Sequence, residues 1–253
     1  MSSVHECCLR GFQWKGTPTG RTSTLASNDV YIAGDNPNRA ILFIHDLFGW
    51  TFPNIRLLAD AYAAEANATV YVPDFFGGAV LPFDLILKSD WAGLDLHTFI
   101  GKNSREVREP EIFACARALR AQYKKVGAVG FCYGGWAVLR LGAKEHNPPL
   151  VDFISLGHPS MLTKKDIEEV NVPVQVLAPE IDQAYTDELK KFTFETVMKL
   201  GIPFDYQHYP GVEHSCFIRG DPEVKGDREA LVRGKHAAVS WFVQFLSDDA
   251  ELF

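Results

Sequence analysis

An α/β fold with a mostly parallel central sheet and helices on both faces is predicted by three features of the sequence. Short apolar runs suited to buried strands alternate with longer stretches of helical period. The strand-like runs are bounded by Gly, Pro, Asn and Asp. One of them, Val126 to Phe131, passes through a cysteine directly into a glycine-opened helix. Of 253 residues, 47% are hydrophobic and 23% charged, enough apolar material for one well-buried core, so a single domain over residues 1–253 is expected. No internal repeat, low-complexity tract or linker divides the chain.

The elements follow in order. Ala40 to His45 (AILFIH) reads as a buried strand after the turn-forming GDNPN. Pro53 to Ala66 reads as a helix: Ile55, Leu57, Leu58, Ala61 and Tyr62 recur near helical spacing, and Pro53 suits a first turn, where its missing N–H costs nothing. Thr69 to Val72 makes the next strand, ended by Pro73. The stretch from Asp74 to Arg108 has no clean period before a helix at Asp90 to Phe99 and is read as a substrate-side excursion. Its Phe75, Phe76, Phe83 and Trp91 are candidate pocket residues, although aromatics are more often core. Beyond it are predicted a helix at Pro110 to Gln122, the strand Val126 to Phe131, a helix at Gly134 to Ala143 and strands at Val151 to Leu156 and Val172 to Ala178. A helix at Ala184 to Leu200, a strand at Phe204 to Tyr209 and a long helix at Asp227 to Phe245 complete the chain.

Charge and cysteine usage narrow the function classes. A net charge of −7, from 25 basic and 32 acidic residues, opposes nucleic acid or an anionic membrane as partner and leaves a small-molecule substrate as the expectation. The start MSSVHECCLRGFQW has no basic, apolar signal pattern, and no run of about 18 apolar residues occurs, so a cytoplasmic protein is expected. The cysteines at 7, 8, 115, 132 and 216 lack the spacing of a disulfide framework or a zinc site and are read as reduced thiols. His45 beside Asp46 is too small a set for a metal, so neither metal nor cofactor is expected.

The most specific signal is GAVGFCYGGW. Gly130, Cys132 and Gly134 match the pattern G-x-nucleophile-x-G, in which small flanking residues let the chain turn sharply and hold the reactive atom above the sheet. The helix that follows favours a thiolate at its N-terminus. The alternative is a buried cysteine at an ordinary strand-to-helix connection, and the string by itself does not separate the two. A nucleophile elbow of the α/β-hydrolase type requires an acid and then a histidine later in the chain. Asp182, just past one strand, and His214, just past the last, satisfy that order. His214 would take the thiol proton and later activate water, while Asp182 would fix its tautomer. Glu180 is the competing acid and His208 the competing base, the latter inside a strand rather than beyond it. The N–H groups of Tyr133 and Leu47 are the expected oxyanion donors.

With these residues assigned, the chain from about Cys8 to Trp241 resembles the dienelactone hydrolase family, particularly its fungal members, in the ordered blocks IHDLFGW, NIRLLAD, YVPDFFGG, GFCYGG, LAPEID and GVEHSCFIRGD. The resemblance implies a Cys-Asp-His triad, no cofactor, and hydrolysis of an enol-lactone or related small ester. It places Asp46 where relatives carry a glutamate that helps activate the thiol, and Arg219 near an arginine that binds the substrate carboxylate. Arg105 and Arg108 are candidates for a second such arginine by location alone, with surface solvation as the alternative. Ser215 and Cys216 depart from the glycine that many relatives carry after the histidine. Three other readings stay open: an esterase or thioesterase of the same fold, a non-catalytic small-molecule-binding homologue, and a redox role for Cys7, Cys8 and Cys216, which no CxxC motif supports. A homodimer is compatible with the sequence and not required by it.

Overall fold

The structure is a computed structural model that describes residues 8–83, 85 and 94–247. An eight-stranded sheet runs in the order β1-β2-β4-β3-β5-β6-β7-β8. Its strands are β1 (Arg21–Leu25), β2 (Asn28–Ala33), β3 (Arg39–Ile44), β4 (Thr69–Pro73), β5 (Lys125–Phe131), β6 (Phe153–Gly157), β7 (Val174–Ile181) and β8 (Phe204–Glu213). From β4 to β8 every neighbour is parallel, whereas β1 and β2 form a hairpin whose second strand adds to β4 antiparallel. The central strands are apolar without interruption because both of their faces are covered: Ala40 to Ile44 and Val126 to Phe131 are all buried.

Among the described residues, the helices are α1 (Pro53–Glu65), α2 (Leu96–Lys102), α3 (Arg105–Arg120), α4 (Gly134–Leu141), α5 (Lys164–Glu168), α6 (Asp187–Val197), α7 (Cys216–Arg219) and α8 (Lys225–Leu246). They pack in two groups, α1 with α7 and α8, and α3 through α6 in succession. Several begin on side-chain caps that satisfy otherwise orphaned N–H groups: Asp95 for α2, Thr186 for α6, and Thr163 with Asp166 in a reciprocal box for α5.

Three expectations are corrected and one element is added. The helix expected to open at Pro110 opens at Arg105 and carries Pro110 inside it; Ser104 precedes it and Glu106 lies in its first turn, where a negative charge is favourable. The helix expected at Asp90 to Phe99 is seen as Leu96–Lys102, and its earlier part, with Trp91, lies outside the described residues. The β1–β2 hairpin was not expected because the exposed face of β1 (RTSTL) carries no apolar alternation. Arg105 and Arg108 are not merely solvated: Arg105 pairs with Asp166 through both terminal guanidinium nitrogens, Nη1 and Nη2, at 2.8 and 2.6 Å, and Arg108 pairs with Glu111 at 3.0 Å and donates to Asn103.

Candidate active site

Parallel order brings the carboxyl ends of β3, β5, β6, β7 and β8 to one edge of the sheet, the edge at which open α/β sheets bind ligands. Cys132 follows β5 with φ of 49°, a left-handed backbone uncommon for a residue with a Cβ. Two glycines permit that turn. A Cβ on Gly130 would strike the carbonyl of Gly134, and one on Gly134 would strike the carbonyl of Ile44. The turn is anchored by Cys132 N–H donating to Gly157 O at 3.2 Å and by Gly135 and Ser160 N–H donating to Cys132 O at 2.9 and 2.8 Å.

Asp182 and His214 are set by one local feature. β7 and β8 pair in register to Pro179–Tyr209, slip, and pair again at Ile181–Glu213, so the next residue of each strand stands beside the other. His214 N–H donates to Ile181 O at 3.0 Å, and His214 Nδ1 lies 2.9 Å from each oxygen of Asp182. The carboxylate also accepts the Ala184 and Tyr185 N–H groups at 2.9 Å, which immobilise it. Glu180 is turned away, accepting the Gly211 N–H, and His208 is an exposed residue within β8.

Cys132, His214 and the unexpected Cys8 converge, with Sγ, imidazole nitrogen and Sγ all within 4.8 Å of one another. Burial opposes a thiolate at Cys132. Hydrogen bonds from Cys8 and His214 and the positive charges of His214 and Arg219 outweigh it and bring the thiol well below its ordinary range. Burial likewise opposes an imidazolium at His214, yet the charge of Cys132 and the bond to Asp182 push it up to about 10. The two shifts describe one event, a proton moved from sulfur to nitrogen within a buried pair. Ser160 Oγ stands 3.7 Å from Cys132 Sγ. Tyr133, the residue after Cys132, is the N-cap of α4, and Leu47 lies in the turn after β3, the positions at which an α/β-hydrolase offers its oxyanion N–H groups.

Asp46 and Arg219 form a fully buried charge pair, Nε to Oδ2 2.7 Å. The two atoms are not aligned for a linear hydrogen bond, so the contact is one of charge. Asp46 also accepts the Phe48 N–H at 3.0 Å, and burial pushes its carboxyl up to about 6 against the opposing charge of Arg219. Arg219 donates from Nη1 to Arg10 O at 2.6 Å and lies over the Phe48 ring, 4.1 Å from its centre; its Nη2 has no partner among the described residues.

His45 is fully occupied: Nδ1–H donates to Asp46 O at 2.8 Å and Nε2 accepts the Phe75 N–H at 3.2 Å, so the backbone specifies the neutral tautomer. Phe75 and Phe76 pack against His45 in the core, while half-buried Phe83 packs on Phe48 and Phe52. His158 was not foreseen; its ring lies edge-on to His214 at 4.8 Å and stacks on Phe217. Burial holds it neutral, and neither ring nitrogen has a partner among the described residues. Cys216, also buried, has its thiol pushed well above the ordinary range by burial.

This sheet, and the elbow and edge cluster mounted on it, define an α/β-hydrolase. The chain belongs to the dienelactone hydrolase family, whose profile matches residues 29–246, and it is a hydrolase of that family. It is similar to "Hydrolase tropI" of Talaromyces stipitatus, 28% identical over 250 residues and 96% of each chain. It is also similar to "Dienlactone hydrolase 1" of Gibberella moniliformis, 26% identical over 225 residues, 84% of this chain and 83% of the relative. Among solved structures, the dienelactone hydrolase-like promiscuous phosphotriesterase P91 from metagenomic libraries shares the fold with a TM-score of 0.67 at 19% identity, over 90% of this chain and 98% of that one. No helix among the described residues is long and apolar enough to cross a membrane.

Proposed function

We propose that the protein hydrolyses a small enol-lactone or comparably activated ester through an acyl-enzyme on Cys132. The observation that carries this reading is the buried line from Asp182 through His214 to Cys132, in which a carboxylate 2.9 Å from Nδ1 directs the other ring nitrogen toward the thiol cluster. The thiolate attacks the carbonyl carbon. The oxyanion forms beneath the Tyr133 and Leu47 N–H groups, and the His214 imidazolium protonates the departing ring or alcohol oxygen. His214, now neutral, removes a proton from water, which attacks the thioester and regenerates the thiolate. Arg219 supplies Nη2 to an acidic group on the substrate, with Asp46 as its resting counter-charge.

The test is hydrolysis of an activated aryl ester and of a dienelactone by the wild type and by Cys132→Ala and Cys132→Ser, with the acylated protein followed by mass spectrometry. The expected result is lactone-selective turnover and an adduct on Cys132, with turnover reduced at least about 10³-fold in the alanine variant. Wild-type rates in Cys132→Ala would exclude Cys132 as the nucleophile.

A further inference from the structure

The hydrolytic reading uses one thiol, yet two sulfurs face His214. Cys8 Sγ lies 3.5 Å from His214 Nε2, and Cys8, Cys132 and His214 are 2%, 0% and 3% exposed. Cys8 is held there by the chain that follows it. Phe12 N–H donates to Arg219 O at 2.8 Å, Arg219 donates back to Arg10 O, and Asn54 accepts from Trp14 N–H while donating to Phe12 O at 2.7 Å. The second sulfur is therefore part of a tied structure rather than a loose end.

Two sulfurs and an imidazole nitrogen make a donor set for a borderline-soft cation. A tetrahedral zinc ion, with Zn–S of about 2.3 Å and Zn–N of about 2.0 Å, sets sulfur and nitrogen donors about 3.5 Å apart, the separation of Cys8 and His214. The surroundings suit coordination as well. Asp182 accepts the Nδ1–H of His214, the outer partner that fixes a metal-binding histidine in tautomer and orientation. Ser160 Oγ, 3.7 Å from Cys132 Sγ, adds an oxygen beside the cluster. A cavity of about 400 Å³ borders His214 and is lined by the acidic Glu213, Asp221 and Asp227 and by the basic Arg10 and Arg219.

We propose that Cys8, Cys132 and His214 form a binding site for a zinc-like divalent cation, and that its occupancy switches the hydrolase off. Binding releases two protons, one from the Cys8 thiol and one shared by Cys132 and His214. What remains is two thiolates, a neutral imidazole and a doubly charged ion, a centre of zero net charge suited to its burial. The sulfur of Cys132 and the lone pair of His214 are then both engaged, so neither nucleophile nor base is available. The inhibitory half rests on the function proposed above; the binding half does not.

The experiment titrates the reduced, desalted full chain with Co²⁺ and then Zn²⁺, reading the spectrum and the competition with a chromophoric chelator. One equivalent of Co²⁺ is expected to give a thiolate-to-cobalt charge-transfer band and the visible bands of a tetrahedral ion, both displaced by Zn²⁺. Cys8→Ser and Cys8→Ala are expected to weaken Zn²⁺ binding at least about tenfold, and Asp182→Asn by roughly 10- to 100-fold. Cys115→Ser, whose thiol faces Leu25 O in another part of the core, is expected to bind as the wild type does. Zn²⁺ is expected to abolish aryl-ester hydrolysis at the concentration that fills the site, and a chelator to restore it. In folded Cys8→Ser the midpoint moves up by the binding factor, measured against that variant's own metal-free rate. Absence of the charge-transfer band, or equal affinity in wild type and both Cys8 variants, overturns the site. Stoichiometric binding that leaves hydrolysis intact overturns the switch. Binding by a protein inactive without metal removes the hydrolytic reading and leaves the site standing.

Discussion

The buried titratable side chains at the sheet edge divide by how their charge is held. His45 has no countercharge in direct contact and is held neutral by two backbone groups, its conjugate acid lowered by burial from 6.5 to about 4. The unfolded chain therefore binds a proton that the folded chain refuses between those values, and stability falls as pH drops from about 6.5 to 4, a contribution of about 3 kcal/mol. Asp46, raised from 3.8 to about 6, acts oppositely: the folded state retains a proton that the unfolded state has released, so its contribution declines as pH rises through that range. Urea denaturation across this window should show a shallower acid limb in His45→Gln than in wild type; an unchanged slope would mean that His45 is protonated while folded. Cys132 is lowered instead, which places its thiolate at pH values where an ordinary thiol is protonated. The ultraviolet difference spectrum between wild type and Cys132→Ser should be flat around neutral pH and, in His214→Asn, should regain a rise at higher pH, because the thiolate loses the imidazolium beside it. These residue types were readable from the chain because each chemistry needs a particular side chain; their protonation states were not, since burial and neighbours set them.

At the scale of elements, the decisive unit is the turn between β5 and α4. Its string of small residues around one cysteine was legible because a strand that reverses into a helix within two residues cannot carry side chains at Gly130 or Gly134. Gly134→Ala should cost about 1–3 kcal/mol, because the new methyl group meets the Ile44 carbonyl within the sheet, and should lower turnover further by moving Cys132. Thermal melts and rates on the same preparation test this, and wild-type values in both would show that the elbow relaxes freely. The antiparallel hairpin of β1 and β2 escaped sequence reading because β1 is exposed except at Leu25 and so carries no period. The early start of α3 escaped because the apolar period begins only after Pro110, whereas Arg105, seven positions before Ile112, earns its place through its pair with Asp166.

Across the whole molecule, residues far apart in sequence meet because five parallel strands end at one edge and because the N-terminal segment is laced to α1 and α7. Asn54 is the knot of that lacing: it accepts from Trp14 and donates to Phe12 O and Ile218 O at 2.8, 2.7 and 2.9 Å. Asn54→Ala should destabilise the fold by about 1–3 kcal/mol and speed amide exchange over residues 8–14, since several buried partners lose their bonds together. Exchange unchanged in that segment would show that other contacts hold it.

Sequence by itself determined the α/β class, the elbow at Cys132 and the order in which Asp182 and His214 follow it, because local period, small-residue sterics and chain order are properties of neighbouring residues. Only tertiary structure decided that Arg219 rests against Asp46, that His158 lies beside His214, and that Cys8, 206 residues away in the chain, shares His214 with the elbow cysteine. Those meetings depend on strand order and on a segment returning across the sheet edge, and neither leaves a local pattern in the amino acids that take part.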